Sequence, residues 1–413
     1  MRLLQQPSLS KSFQYGRSVY LYDSNGSKWL DAASGTFNLS LGYSHPSVVS
    51  TIQRQATALI HLSTTYQNDL ADTLATKLSP YLPRQLNRFH FKATGGSTAN
   101  EIALKLAKSK RPQSTRIVSF EAGHHGQSSL LASLSGLSWR RKHEIGHFDP
   151  VILPTPPEDG LQDEIATANY LNLLDGMLKD ADPESIIAII FEPILGNGHN
   201  ISVPKCAAKF LSDFGARNNI PIIVDEVQTG FGRTGDFFGF LSLGIIPDIV
   251  TIAKGMTGCG LPLGGIITTS EFEAIGTEHM SFTGGANLLA LASAIATIEV
   301  IEAESILDNV RSRGEFLINE IRRLVETYSF VTGVRGRGLM IGIEVQSGDI
   351  ARLTHSSLAS AICAAAFDNQ LIVRSSQYGR GSTLKIRPPL VINDEQCIEL
   401  VDKLRLTLDG VNF

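Results

Sequence analysis

Short apolar runs recur along the chain, and several of them empty into polar, glycine-rich sequence. Ile222, Ile223 and Val224 run into Asp225, and Ile249, Val250, Ile252 and Ala253 run into Lys254. Continuous apolar runs of this length read as strands buried on both faces, the habit of a parallel sheet. The same reading predicts strands over residues 88–92, 115–120, 186–191, 221–225, 248–253 and 265–269. Helical spacing between them predicts helices over 98–108, 204–218 and 288–302. Strand and helix alternating in this way imply an α/β domain with a mostly parallel sheet flanked by helices.

The two ends are patterned differently. Residues 1–60 form an expected N-terminal arm, with a hairpin turning at Asn25-Gly26 and a helix from about Pro46. After about Ser305 a helix over 309–328, a strand pair in VRGRGLMIGIEV, a helix over 358–369 and the runs QLIVRSS and TLKIRPPLVI predict a smaller α+β domain. The predicted division is therefore 1–60 (arm and part of the small domain), 61–305 (large domain) and 306–413 (C-terminal small domain). The Pro- and charge-rich stretch 139–164 reads as a long surface loop, of the kind that often borders a site.

Composition narrows this picture. A chain of 413 residues implies two or three domains. Only 18% of residues are charged, against about 25% in an average protein, which suits a large buried sheet or an extensive subunit interface. The net charge of −4 gives no reason to expect nucleic acid or an anionic membrane as partner. The four cysteines form no CxxC pair, so neither a metal site nor a disulfide framework is indicated. The first residues contain no sustained apolar stretch, and no run reaches the roughly 18 residues of a membrane span. The expectation is a soluble, cytoplasmic protein.

Candidate chemistry begins at the ends of the two apolar runs. Ligands gather at the carboxyl ends of strands in open α/β sheets, so Asp225 and Lys254 would face one crevice. Partial burial lowers the pKa of a lysine and frees its amine to form a Schiff base. Pyridoxal 5'-phosphate needs such a lysine for its aldehyde and an acid for its pyridine nitrogen. Gln228 could reach a phenolic oxygen. The plainer readings are a surface lysine in a βα loop, and a buried or metal-binding aspartate partnered by Arg233.

Gly95, Gly96, Ser97 and Thr98 precede an amphipathic helix, whose start could cradle a phosphate; Thr98 and Glu101 could equally form an ordinary capping box. His124 or His125 could lie on an aromatic ring, or be structural. Lys385 and Arg387, two apart on an expected strand, would share a face as carboxylate clamps or line a solvated edge. Arg140, Arg141 and Lys142 could be an anion gate or a solvated loop.

Taken together, these segments resemble the class III, or ω-type, aminotransferases of the fold-type I pyridoxal-phosphate enzymes. The resemblance runs from VYLYDSNGSKWLDAASG to LKIRPPLVI and is most specific in IIVDEVQTGFGRTG and PDIVTIAKGMTGCGLPLGG. It implies Lys254 as the Schiff-base lysine and Asp225 as partner of the pyridine nitrogen. It also implies Gln228 on the ring oxygen, Val227 on a ring face, and Gly96 and Ser97 at the phosphate. Thr283 would serve the phosphate of a neighbouring subunit, so a homodimer is implied. His124 stands where the family usually has a stacking Tyr, Phe or Trp. Asn197 stands where many members carry a glutamate, and Lys385 where the family often has a carboxylate-binding arginine.

The expected activity is transfer of an amino group between an amino acid or amine donor and an oxo acceptor. Lys385, Arg387 and Arg141 are the candidate substrate contacts. Racemisation or epimerisation, decarboxylation and elimination on the same cofactor are the alternatives. A dimer without turnover is disfavoured because Lys254 and Asp225 are both present. A nicotinamide dehydrogenase is disfavoured because no GxGxxG follows an early strand.

Overall fold

The computed structural model describes residues 11–63, 65–137, 148–157, 161, 163–272, 280–346, 355–378 and 381–411. At the N-terminal end β1 (Phe13–Arg17), β2 (Tyr20–Asp23) and β3 (Lys28–Asp31) form an antiparallel meander. The Asn25-Gly26 turn forms where its sequence signal lies. The Asp23 carboxylate accepts the Asn25 and Ser27 amides, each at 2.9 Å, and Gly26 takes φ 78°, a left-handed value that suits glycine. The helix expected from Pro46 spans Pro46–Ala58.

The large sheet contains β4 (Leu86–Ala93), β5 (Arg116–Phe120), β6 (Val151–Leu153), β7 (Ile186–Phe191), β10 (Ile222–Asp225), β11 (Ile249–Ile252) and β12 (Gly264–Thr269). Between β7 and β10 a small hairpin of β8 (Ile194–Leu195) and β9 (Ile201–Ser202) leaves the sheet. The order across the large sheet is β4-β12-β11-β10-β7-β5-β6. The five strands from β11 to β6 are parallel, whereas β12 and β4 pair antiparallel at one edge. The all-apolar runs become central strands because both faces are covered. Every residue of β7, β10 and β11 is buried, and each such Ile, Val or Phe side chain contributes about 1.5–3 kcal/mol of burial.

Helix Gly96–Lys110 covers this sheet and begins two residues before its sequence signal. Gly95 is extended at φ 166°, and the Thr98 hydroxyl turns inward, accepting the Thr94 amide at 2.9 Å and donating to the Gly95 carbonyl. The capping box expected from Thr98 and Glu101 therefore does not form, and no side chain caps this helix start. Helix Leu288–Ala303 begins at an Asn287 cap that accepts the Leu289 and Ala290 amides.

The C-terminal sheet has β13 (Val331–Arg337), β14 (Met340–Val345), β16 (Arg374–Tyr378) and β17 (Gly381–Ile386) in the order β13-β14-β17-β16. Just before β16, β15 (Leu371–Ile372) pairs in parallel with β3, so the two ends of the chain share one sheet. Helices Ile306–Val325, His355–Asp368 and Asp394–Asp409 complete this region.

Candidate active site

Asp225 and Lys254 are brought together by strand pairing. In the parallel β10–β11 register Asp225 lies opposite Thr251, and Lys254 follows three residues later, where β11 has already ended. Both chemistries thus leave the sheet at its carboxyl edge. Lys254 is held at φ 47°, an uncommon conformation for a side-chain-bearing residue and one that costs on the order of 1–3 kcal/mol. The next residue is anchored by Ser40, whose hydroxyl donates to the Gly255 carbonyl at 2.6 Å. Burial brings the Lys254 amine down to about 8, against the opposing pull of the Asp225 and Glu192 carboxylates.

The Asp225 carboxylate is oriented from three sides. Oδ2 accepts Asn100 Nδ2 and His125 Nδ1, both at 2.8 Å, and Oδ1 accepts the Val227 amide at 3.0 Å. Three of about four acceptor positions on the carboxylate are filled. One on Oδ1 remains for a further donor, such as a protonated ring nitrogen. Arg233, weighed as a partner for Asp225, instead donates to the Leu339 and Pro388 carbonyls and the Ser34 hydroxyl. Neither the surface-lysine reading nor the Arg233-paired aspartate survives this geometry.

A cavity of about 570 Å³ opens over Lys254, lined among others by Phe37, His124, Asn197, Gln228, Arg374 and Lys385. His124 is half-buried in this wall, and its backbone amide donates to Glu192 Oε1 at 3.0 Å. Glu192 is itself buried and also accepts the Gly196 amide and Gln228 Nε2. Its pKa is raised, first by burial and then by the nearby Asp225 charge. At the start of helix Gly96–Lys110, a Cβ added to Gly96 would meet Val227 Cγ1 at 2.7 Å, so the glycine and Val227 are in close approach. A Cβ on Gly95 would meet nothing within 4 Å, and Ser97 Oγ accepts the Gln127 amide at 3.3 Å. The helix start therefore presents uncapped amides and a hydroxyl beside open space, a setting that suits an anionic group.

These residues fit pyridoxal 5'-phosphate. An amine of lowered pKa, a fixed carboxylate with a spare acceptor position, a ring-sized cavity and an uncapped helix start are its requirements. Thr283 lies outside the cavity wall, exposed in the turn that docks on β4 through the Phe282 amide to Lys92 carbonyl bond. Arg141, together with Arg140 and Lys142, lies outside the described residues.

Lys385 lines the cavity, and its ammonium donates to Asn197 Oδ1. Arg387 reaches the same Phe37 ring as Lys385 but does not line the cavity. The strand ends at Ile386, and the Arg387 amide donates to the Ala32 carbonyl at 2.6 Å. Its side chain is buried and its guanidinium donates to Gln228, Gly196 and Asn200.

Sequence reasoning missed Asn100, Glu192 and Arg374, and left His125 undecided. Asn100 had a findable signal, a polar residue on the apolar face of helix Gly96–Lys110. Arg374 had none, because its importance rests on being the cross-strand partner of Lys385 in the β16–β17 register.

The family model described as aminotransferase class III matches residues 6–408. Over 410 residues the chain is 30% identical to the diaminobutyrate–2-oxoglutarate aminotransferase of Haemophilus influenzae, covering 95% of this chain and 89% of that protein. It is 33% identical to the 5-aminovalerate aminotransferase of Pseudomonas putida, with 90% and 87% covered. Among solved structures, a transaminase from the marine bacterium Virgibacillus superposes with a TM-score of 0.90 at 26% identity, covering 98% of this chain and 93% of that one. An amine transaminase from an uncultivated Pseudomonas species, solved in its PLP-bound form, superposes with a TM-score of 0.87 at 28% identity, covering 100% and 99%.

Proposed function

This chain belongs to the class III aminotransferase family and has the fold-type I architecture; from that premise we propose that it moves an amino group between a carboxylate-bearing donor and an oxo acceptor, using Lys254 as base and cofactor lysine. The observation that carries this reading is the delivery of Lys254 and Asp225 from adjacent parallel strands to one edge of the sheet. Bound pyridoxal 5'-phosphate supplies an aldehyde for amine exchange and a ring that accepts the electron pair released at the substrate carbon. Lys254 would be the amine that holds the cofactor by its aldehyde and, once free, would serve as the base for the proton at the substrate Cα. Asp225 would hold a positive charge at the ring nitrogen. Gln228 would serve the ring oxygen, Val227 and His124 the ring faces, and Gly96 and Ser97 the phosphate.

The substrate side is read from Arg374 and Lys385. They are directly opposed across β16 and β17, so their side chains leave one face of the sheet, and both line the cavity. The lining residues include these two cations and Lys254, and no carboxylate among the described residues. That charge pattern suits a substrate carboxylate. Arg374→Ala is expected to raise KM for carboxylate-bearing donors roughly tenfold or more, the scale of a lost charge-assisted hydrogen bond. For a plain amine donor KM should hardly move. Equal losses for both donor types in steady-state kinetics would remove Arg374 from substrate recognition.

We also read the protein as a cytoplasmic homodimer in which Thr283 reaches the neighbouring subunit's phosphate. Its exposed turn, and the exposed apolar side chains of Leu59, Ile60 and Tyr66, support this. No helix of the described residues is long and apolar enough to cross a membrane. The division at about residues 60 and 305 into arm, cofactor domain and small domain belongs to the same reading.

The deciding experiment follows the visible absorbance of the cofactor-loaded protein as amino donors are added without an oxo acceptor. Lasting loss of the band with a carboxylate-bearing donor, and its return on adding an oxo acid, is the expected result. A band that survives every donor while the donor is consumed would favour racemisation, decarboxylation or elimination.

A further inference from the structure

Arg387 is a full cation with 1% of its surface exposed, and no carboxylate lies within ion-pair distance of it among the described residues. A buried charge is expensive unless its hydrogen bonds are met. Here neutral oxygens meet both terminal nitrogens, while the buried Nε has no hydrogen-bond partner among the described residues. Nη1 donates to Gln228 Oε1 at 2.7 Å, and Nη2 donates to the Gly196 carbonyl at 2.8 Å and Asn200 Oδ1 at 2.6 Å. The Phe37 ring covers the guanidinium, its centroid 4.5 Å from Cζ. Asn200 is in turn anchored on the C-terminal sheet, donating Nδ2 to the Met340 carbonyl at 2.9 Å.

We propose that Arg387 is a positioning residue that fixes the Gln228 amide so that an N–H, and not the carbonyl, faces the Lys254 cavity. The inference rests on the cofactor site proposed above. An amide can present either end, and its neighbours decide which. A guanidinium has no acceptor, so the Gln228 carbonyl must face Arg387. On the other side, Nε2 donates to Glu192 Oε2 at 3.2 Å, and the other hydrogen bonds of that carboxylate are also accepted ones, from the His124 and Gly196 amides. One Nε2 hydrogen is spent on Glu192. The second is left for the cavity, which Gln228 lines.

The fit around the amide is close. A Cβ on Gly196 would lie 2.6 Å from Gln228 Oε1 and 2.9 Å from Nε2, so this loop position admits the amide because it is glycine. Arg387 comes from the C-terminal sheet region, and Gln228 and Glu192 come from the ends of β10 and β7. The guanidinium therefore ties the donor geometry of the large sheet to the seating of the smaller one.

A donor aimed at the cofactor's ring oxygen spreads the negative charge there. The proton that the Lys254–cofactor chromophore shares with that oxygen is then held less firmly, so the chromophore loses it at lower pH. The test is a pH titration of the visible band in the cofactor-loaded wild type, Arg387→Lys, Gln228→Leu and the double variant. Arg387→Lys keeps the charge and removes the fork. The other charged or titratable groups around the network, Glu192, Asp225, Lys254, His124, His125, Arg233, Arg374 and Lys385, are left unchanged.

Each single variant is expected to raise the midpoint by roughly one pH unit, the scale of one hydrogen bond to a charged group. The double variant is expected to titrate with Gln228→Leu, without a further rise. Should Arg387→Lys fail to fold, Asn200→Ala removes one brace of the guanidinium and is expected to raise the midpoint in the wild-type background and not in Gln228→Leu. An unmoved midpoint in the Arg387 or Asn200 variant, or shifts that add in the double variant, overturns the positioning role alone. A loaded wild-type protein with no titrating visible band overturns the cofactor site as well.

Discussion

Lys254→Ala protein is expected to turn over about 10³-fold more slowly than wild type, or slower still. On the proposed roles, the change removes both the amine that would hold the cofactor aldehyde and the base for the Cα proton, and a positioned general base alone contributes 10²–10⁴-fold. The loss should fall on kcat, with cofactor binding weakened less, because Asp225, Gln228 and the helix start at Gly96 are untouched. Steady-state kinetics on fully loaded variant would measure it, and near-normal kcat would remove Lys254 from the mechanism.

The pH dependence of the same residue has a definite sign. Burial lowers the amine to about 8, so the ammonium form predominates below that pH and the free amine above it. Bond formation with an aldehyde needs the free amine. Reconstitution of cofactor-free protein should therefore accelerate about tenfold per pH unit on approach to 8 and level off beyond it. Acceleration continuing towards the ordinary lysine value of 10.5 would mean that the cavity does not set the amine.

Asp225→Ala is the second large effect. With the carboxylate gone, nothing on β10 holds a proton charge at the ring nitrogen, and kcat is expected to fall about 10²- to 10³-fold, as for other lost electrostatic groups in dry sites. Asn100 Nδ2 and His125 Nδ1 lose the acceptor they share; Nδ2 keeps its bond to the His125 carbonyl, so His125 Nδ1 is left unpaired at a cost of about 1–3 kcal/mol of stability. Asp225→Asn separates the two effects, since it keeps the side-chain volume and one carbonyl oxygen. Its melting point should lie nearer wild type than that of Asp225→Ala, while its kcat stays low. Wild-type kcat in either loaded variant would contradict the charge-holding role.

By itself the sequence determined which stretches become the central strands and where their reactive ends lie. Runs such as Ile186–Phe191 and Ile222–Asp225 are apolar throughout, and burial of both faces leaves such runs little alternative to a central strand. The polar residue that ends each run then falls at the sheet's carboxyl edge by continuity of the chain, which is why Asp225 and Lys254 were legible. The tertiary structure alone decided what meets them. His125 and Asn100 reach Asp225 across separations of 100 and 125 residues. Arg374 meets Lys385 through a strand register. Arg387, which periodicity put beside Lys385, meets the same Phe37 ring but gives its guanidinium to Gln228, Gly196 and Asn200. Periodicity along the chain reports which side of an element is buried. It carries no record of which distant side chain fills the space opposite, because that is settled by packing among elements far apart in sequence.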